Sequence, residues 1–183
     1  RTQCLCSFQE VPALELPVLR FFDSILRKTH ASDKQLREAL KNIFGYYPGN
    51  LALYKLALRH RSAATPLTNG IKHNNERLEY LGDAALGFLV AEWLYQRYPH
   101  VTEGELTSLR IFVVRSESLA LLGRTWGIGQ YLRMGRGEEA SGGREREANL
   151  CAAVEAFFGA LYLDRGIEPT RELVLQHLES LAE

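Results

Sequence analysis

The stretch Asn75-Glu76-Arg77-Leu78-Glu79-Tyr80-Leu81-Gly82-Asp83-Ala84-Ala85-Leu86 sets three carboxylates into an otherwise apolar segment with helical spacing. At about 3.6 residues per turn, Glu76, Glu79 and Asp83 share one face, each about a turn from the next. Leu78, Leu81, Ala85 and Leu86 make the adjoining apolar stripe. Acids three or four apart on a helix ordinarily mark a solvated face. Gly82 weighs against that here. Glycine costs about 1 kcal/mol inside a helix, so its place beside Asp83 points to the close approach of another backbone or a ligand. Carboxylates turned toward the start of a core carry a desolvation penalty, which persists where a cation, most often a metal ion, neutralises them.

Working outward, the acid-bearing helix is expected from about residue 75 to 97, ending before Pro99. Upstream, helical spacing covers residues 18–26 and 33–44, with Ser32 as a cap for the second segment. Residues 45–50 read as a turn, 51–58 as a helix, and the mostly polar stretch 63–73 as a loop. Downstream, helices are expected from about residue 102 to 114 and over 117–126, the latter capped by Ser116, then over 149–163 and 168–181. The glycine-rich, charged residues 134–147 read as an exposed loop. No alternating strand pattern stands out, so the chain is expected to be all-α, with an N-terminal helical extension (1–37) and one helical domain (38–183).

A hydrophobic content of 46% suffices for a core. The 22 basic and 22 acidic residues cancel, so any contact with nucleic acid must rest on local patches. Cys4, Cys6 and Cys151 form no disulfide pattern, which fits a reducing interior, the cytoplasm or an organellar matrix. Cys4 and Cys6 alone do not complete a metal site. No apolar run approaches the roughly 20 residues of a membrane span. The single methionine is Met134, so a processed or excised chain is expected, with domains missing from either end.

The run from Asn75 to Leu86 resembles the signature of the ribonuclease III endonuclease domain. Other pieces agree in order: Leu56-Ala57-Leu58-Arg59-His60-Arg61-Ser62, Glu103-Gly104-Glu105-Leu106-Thr107, Val114-Arg115-Ser116-Glu117-Ser118-Leu119, and Val154-Glu155-Ala156-Phe157-Phe158-Gly159-Ala160-Leu161-Tyr162-Leu163-Asp164. The resemblance covers roughly residues 38–182. It implies a ribonuclease III-like helical endonuclease domain acting as a homodimer on double-stranded RNA in RNA processing. It also implies dependence on Mg²⁺, with Mn²⁺ as a substitute. Carried over by position, Glu79, Asp83 and Glu155 are the metal-site carboxylates, with Asp83 and Glu155 catalytic. Glu76 supports the cluster. Tyr80 faces the partner subunit, against the competing reading of an ordinary core tyrosine. Duplex RNA is read through shape and phosphates, and Arg133, Arg136, Arg144 and Arg146 beside Gly-rich backbone are the candidates for phosphate contact.

The chain departs from the family's pattern at Ala152, where an aspartate is expected three residues before Glu155. Alanine cannot ligate a metal, and the thiol of Cys151 is a poor Mg²⁺ ligand. Three readings stay open. The remaining acids hold the metal, with water or Asn149 at the position; or cleavage is lost and the domain is an RNA-binding or ribosome-associated scaffold; or the alanine is an engineered replacement. Clustered carboxylates repel one another, which favours retained metal chemistry. Bacterial members usually carry a double-stranded-RNA-binding domain next, and this chain stops directly after the last expected core helix at Glu183.

Overall fold

The computed structural model describes residues 30–66 and 72–182. The helix expected over residues 18–26, the cysteines Cys4 and Cys6, and most of the expected N-terminal extension lie outside that range. The described elements are α1 (His30–Phe44), α2 (Leu51–Ala57), a 3₁₀ turn (Arg61–Ala63), β1 (Thr65–Pro66), β2 (Lys72–His73), α3 (Glu76–Arg97), α4 (Glu103–Val114), α5 (Ser116–Thr125), a 3₁₀ turn (Ile128–Tyr131), α6 (Arg136–Ala140), α7 (Glu147–Arg165) and α8 (Ile167–Ala182). The all-α expectation holds. Among the described residues the only paired strands are β1 and β2, antiparallel and two residues each. No helix of the described residues is long and apolar enough to cross a membrane.

Side-chain caps account for the starts of α2 and α4. Asn50 caps α2 by accepting from the Ala52 amide at 3.1 Å. Thr102 and Glu105 close a reciprocal capping box at the start of α4. Two expected caps are corrected. Ser32 lies inside α1. Ser116 is the first residue of α5, whose N-cap position is Arg115, and its hydroxyl hydrogen-bonds the Cys151 thiol. The domain boundary is expected at residue 37/38, and the compact unit begins at Leu36.

Helix α7 runs through the middle of that unit. Leu150, Ala153, Val154, Ala156, Phe158, Ala160 and Leu161 are all buried, the signature of a helix covered on most sides. It packs most extensively on α3 and next on α5. The α3–α7 crossing is very close. A Cβ placed on Gly82 would lie 1.7 Å from the Glu155 carbonyl oxygen, and one on Gly159 would lie 2.3 Å from that of Leu78. Two facing glycines thus let the backbones touch, and this draws the acids of α3 and Glu155 of α7 together. The close approach anticipated at Gly82 is that of a neighbouring helix. At the far end of α7, Asp164 accepts from the Gly49 and Asn50 amides at 2.9 and 2.6 Å and from the Tyr54 hydroxyl at 3.0 Å, tying α7 to the start of α2.

Candidate active site

A cleft of about 470 Å³ opens over the α3–α7 crossing, lined by Glu76, Glu79, Tyr80, Asp83 and Glu155. Helical spacing puts the three α3 acids on one edge, and the glycine contact puts Glu155 opposite them. Glu76 is exposed, and its place is set by Asn74, whose side-chain amide donates to Glu76 Oε2 at 2.7 Å while its oxygen accepts from the Glu76 backbone amide at 3.2 Å. Asn74 is itself buried. Sequence reasoning missed this residue, although an Asn-Asn pair directly before an acidic first turn is a capping signal.

The carboxylates feel one another. Burial, then the charges of Asp83 and Glu79, push Glu155 up to about 7, against a weak opposing hydrogen bond from Cys151. Glu79 is also raised, by burial first and then by Glu76, while the nearby Arg61 charge acts the other way. Arg61 is the second residue that sequence reasoning left without a role in the pocket. It stands on the 3₁₀ turn that buried His60 braces, with His60 Nδ1 accepting from the Ser62 amide at 3.2 Å and lying 2.8 Å from Ser62 Oγ.

The donor set consists of hard oxygens under mutual repulsion, which suits Mg²⁺ or Mn²⁺. Among the described residues, no three His, Cys, Asp or Glu side chains form a group that could hold an ion directly. A small cation that keeps several waters between itself and its carboxylates fits such a spread arrangement. Ala152 sits half-buried, one turn before Glu155 on α7. Its neighbours do not substitute for an acid. The Cys151 thiol, pushed up to about 12 by burial and then by Glu155, stays protonated and donates to Glu155 Oε1 at 3.6 Å. The Asn149 amide is spent elsewhere, donating to Glu138 Oε1 at 2.8 Å and the Gly143 carbonyl at 2.9 Å. Asn149 therefore does not fill the Ala152 position as placed here.

The exposed loop expected over residues 134–147 is an ordered, self-bonded segment. It contains α6, and the Arg144 guanidinium binds the carbonyls of Gly129 and Leu132 at 3.0 and 2.7 Å and Glu139 at 2.6 Å. Arg146 pairs with Glu138 and bonds Ser141 Oγ at 3.0 Å. Both arginines are thus engaged within the protein. Arg136 is exposed at the start of α6, and Arg133 is half-buried beside Arg59.

Tyr80 is 80% exposed, which removes the reading of a core tyrosine. It heads an apolar stripe on α3 that continues through Ala84 to Phe88, 56% exposed. Ile111 and Phe112 of α4 are likewise exposed. Asp83 lines both the acidic cleft and a second hollow bounded by Phe88, Arg110 and Ile111, so acids and apolar surface adjoin.

Residues 50–181 match the family model described as Ribonuclease-III-like. The chain is 44% identical over 144 residues to "Ribonuclease 3" of Lactococcus lactis subsp. cremoris, covering 79% of this chain and 62% of that protein. It is 48% identical over 139 residues to "Ribonuclease 3" of Pseudomonas syringae pv. syringae, covering 76% and 58%. It thus spans about 60% of the length of these curated relatives. A nuclease domain of ribonuclease III from Campylobacter jejuni superposes with a TM-score of 0.71 at 34% identity, covering 78% of this chain and 96% of that one. The Campylobacter domain is described for structural flexibility in a region involved in dimer formation.

Proposed function

Because the chain belongs to the ribonuclease III family, we propose that it is a metal-dependent endoribonuclease that cleaves double-stranded RNA as a homodimer in RNA processing. The observation that carries this reading is the cleft at the α3–α7 crossing, where Glu79 and Asp83 face Glu155 and burial with mutual repulsion pushes Glu155 up to about 7. Glu79, Asp83 and Glu155 would hold Mg²⁺ or Mn²⁺, with Glu76 in support. The cation, when bound, would offset charge on the scissile phosphate and ease the deprotonation of water.

The chain's own residues supply the rest. Asn74 orients Glu76, and the packed α3–α7 contact fixes Glu155 relative to the α3 acids. The protonated Cys151 thiol donates to Glu155 and turns one carboxylate oxygen away from free rotation. The stripe headed by Tyr80 and Phe88 is apolar surface of the kind that seeks a partner, and a two-fold pairing through it would bring two clefts onto one duplex.

One observation favours a second reading. With Ala152 in place of an acid, α7 lines the cleft with a single carboxylate, Glu155, and a domain without cleavage would serve as an RNA-binding or ribosome-associated scaffold. Incubating a long duplex RNA with the protein in Mg²⁺ and then Mn²⁺, with the dimer verified by sedimentation, separates the two. Discrete cleavage products support the enzyme. Their absence in both metals, with duplex still bound by an intact dimer, supports the scaffold.

A further inference from the structure

Arg59 and Arg133 lie opposite one another on two segments joined as a parallel bridge, with the His60 amide donating to the Arg133 carbonyl at 3.0 Å and the Arg133 amide to the Leu58 carbonyl at 2.8 Å. The surroundings are stiff. The Gly135 amide donates to Ser62 Oγ at 2.9 Å, closing the two segments together beyond the bridge. Arg144 holds the carbonyls of Gly129 and Leu132 just before Arg133. The Arg59 guanidinium is fixed by a 3.0 Å hydrogen bond to His73 Nδ1. Like charges anchored side by side repel, and the cost is visible: burial and then the Arg133 charge lower the Arg59 pKa, and burial and then the Arg59 charge lower that of His73. In contrast to Arg144 and Arg146, which are paired with Glu139 and Glu138, Arg133 makes no ion pair among the described residues. The backbone bridge starts the two arginine side chains from adjoining positions, and a phosphate set between two guanidiniums would offset their repulsion.

We propose that the bridged pair Arg59 and Arg133 binds one phosphate of an RNA backbone at a site outside the carboxylate cleft. This rests on the duplex-RNA reading above and makes it more specific. A strand is favoured over an isolated phosphate because the same segment continues to Arg61, whose charge is felt at Glu79 in the cleft. A polyanion with repeating phosphates can meet both places at once. The pair thus takes over the role first expected of Arg144, whose donors are already used.

The test is equilibrium binding of a labelled duplex RNA to the full chain in chelator, where cleavage does not interfere, across a series of salt concentrations. Replacing both arginines (R59Q with R133Q) is expected to weaken binding about tenfold and to flatten the slope of log affinity against log salt by about 1, the share of one phosphate. Arg97→Gln, which removes one positive charge at the end of α3, is expected to leave both unchanged. Should the glutamine pair fail to fold, R59K with R133K reads the same site: charge is kept and the fork geometry lost, so affinity falls while the slope stays. Affinity and slope unchanged in the folded variants would overturn the proposal. Thermal unfolding with tripolyphosphate separates this from the RNA reading. Stabilisation of the wild type but not of the glutamine pair keeps the anion site even if duplex RNA is not bound, and equal stabilisation of both counts against the site.

Discussion

Helix α3 brings Glu76, Glu79 and Asp83 to the cleft, with Glu76 and Asp83 exposed and Glu79 half-buried, whereas α7 brings only Glu155 from within a helix otherwise committed to the core. The α3 acids sit at a surface and need little from the rest of the fold. Glu155 is held by packing, against the electrostatic preference of its carboxylate for water. The contrast teaches that the two sides of the cleft answer to different constraints. The α3 side is a spacing pattern on one helix. The α7 side depends on a backbone contact between helices far apart in sequence, and it is where this chain lacks an acid.

The largest blow to that arrangement is a methyl group at the crossing. Gly82→Ala places carbon 1.7 Å from the Glu155 carbonyl oxygen, and no side-chain rotation relieves a clash with backbone. A loss above about 3 kcal/mol is expected, seen as a melting temperature lower by about 10 °C or more, or as failure to fold. A variant as stable as the wild type would mean that the two helices do not touch as described. Next in size, Arg144→Gln removes donors to two backbone carbonyls and the partner of Glu139. About 2 kcal/mol is expected in chemical denaturation, with the change confined by hydrogen exchange to residues around 129–146. Loss of protection in α3 instead would show that the segment and the cleft are coupled.

Restoring an acid sharpens the contrast from the other direction. Ala152→Asp adds an oxygen ligand one turn before Glu155, and kcat/KM for duplex cleavage in Mg²⁺ is expected to rise about tenfold, roughly 1.4 kcal/mol of transition-state stabilisation. No change would mean that the α7 side functions with a single carboxylate. The smallest effect is a pH dependence in chelator. Glu155 holds its proton up to about pH 7 when folded but only to its ordinary value of 4.5 when unfolded. Its contribution to stability is therefore fully present below 4.5 and is lost as pH rises through 7. Discounted for partial exposure, the loss is about 1 kcal/mol. Denaturation of the wild type and Glu155→Gln across that range reads it directly, because the amide has no such slope.

The same contrast separates what was legible in the sequence from what was not. The three α3 acids could be read because helical periodicity is local, and Gly82 stood out because a helix tolerates glycine only for a reason. The end of α3 before Pro99 and the start of α4 at Thr102 also followed from local signals, whereas the caps expected at Ser32 and Ser116 did not. The partners of Asn149, Ser116 and Arg144 could not be read. Each is a side chain whose usual local role was overridden by a contact across the fold: Glu138 for Asn149, Cys151 for Ser116, and the 129–132 carbonyls for Arg144. A run of glycines and charges looked like a solvated loop because its mutual pairing depends on three-dimensional closure. The Arg59–Arg133 bridge joins residues too far apart for any local pattern to reveal.

The central claim, that the cleft over the glycine crossing is where RNA is cut and that Glu155 carries the α7 side of it, is tested most directly by single-turnover cleavage of a duplex RNA in Mg²⁺ by the wild type and by Glu155→Gln, both at saturating protein. The expected result is a rate lower by about a hundredfold or more in the variant, with duplex affinity and melting temperature at pH 7 maintained or raised. Equal cleavage rates for the two proteins would contradict it.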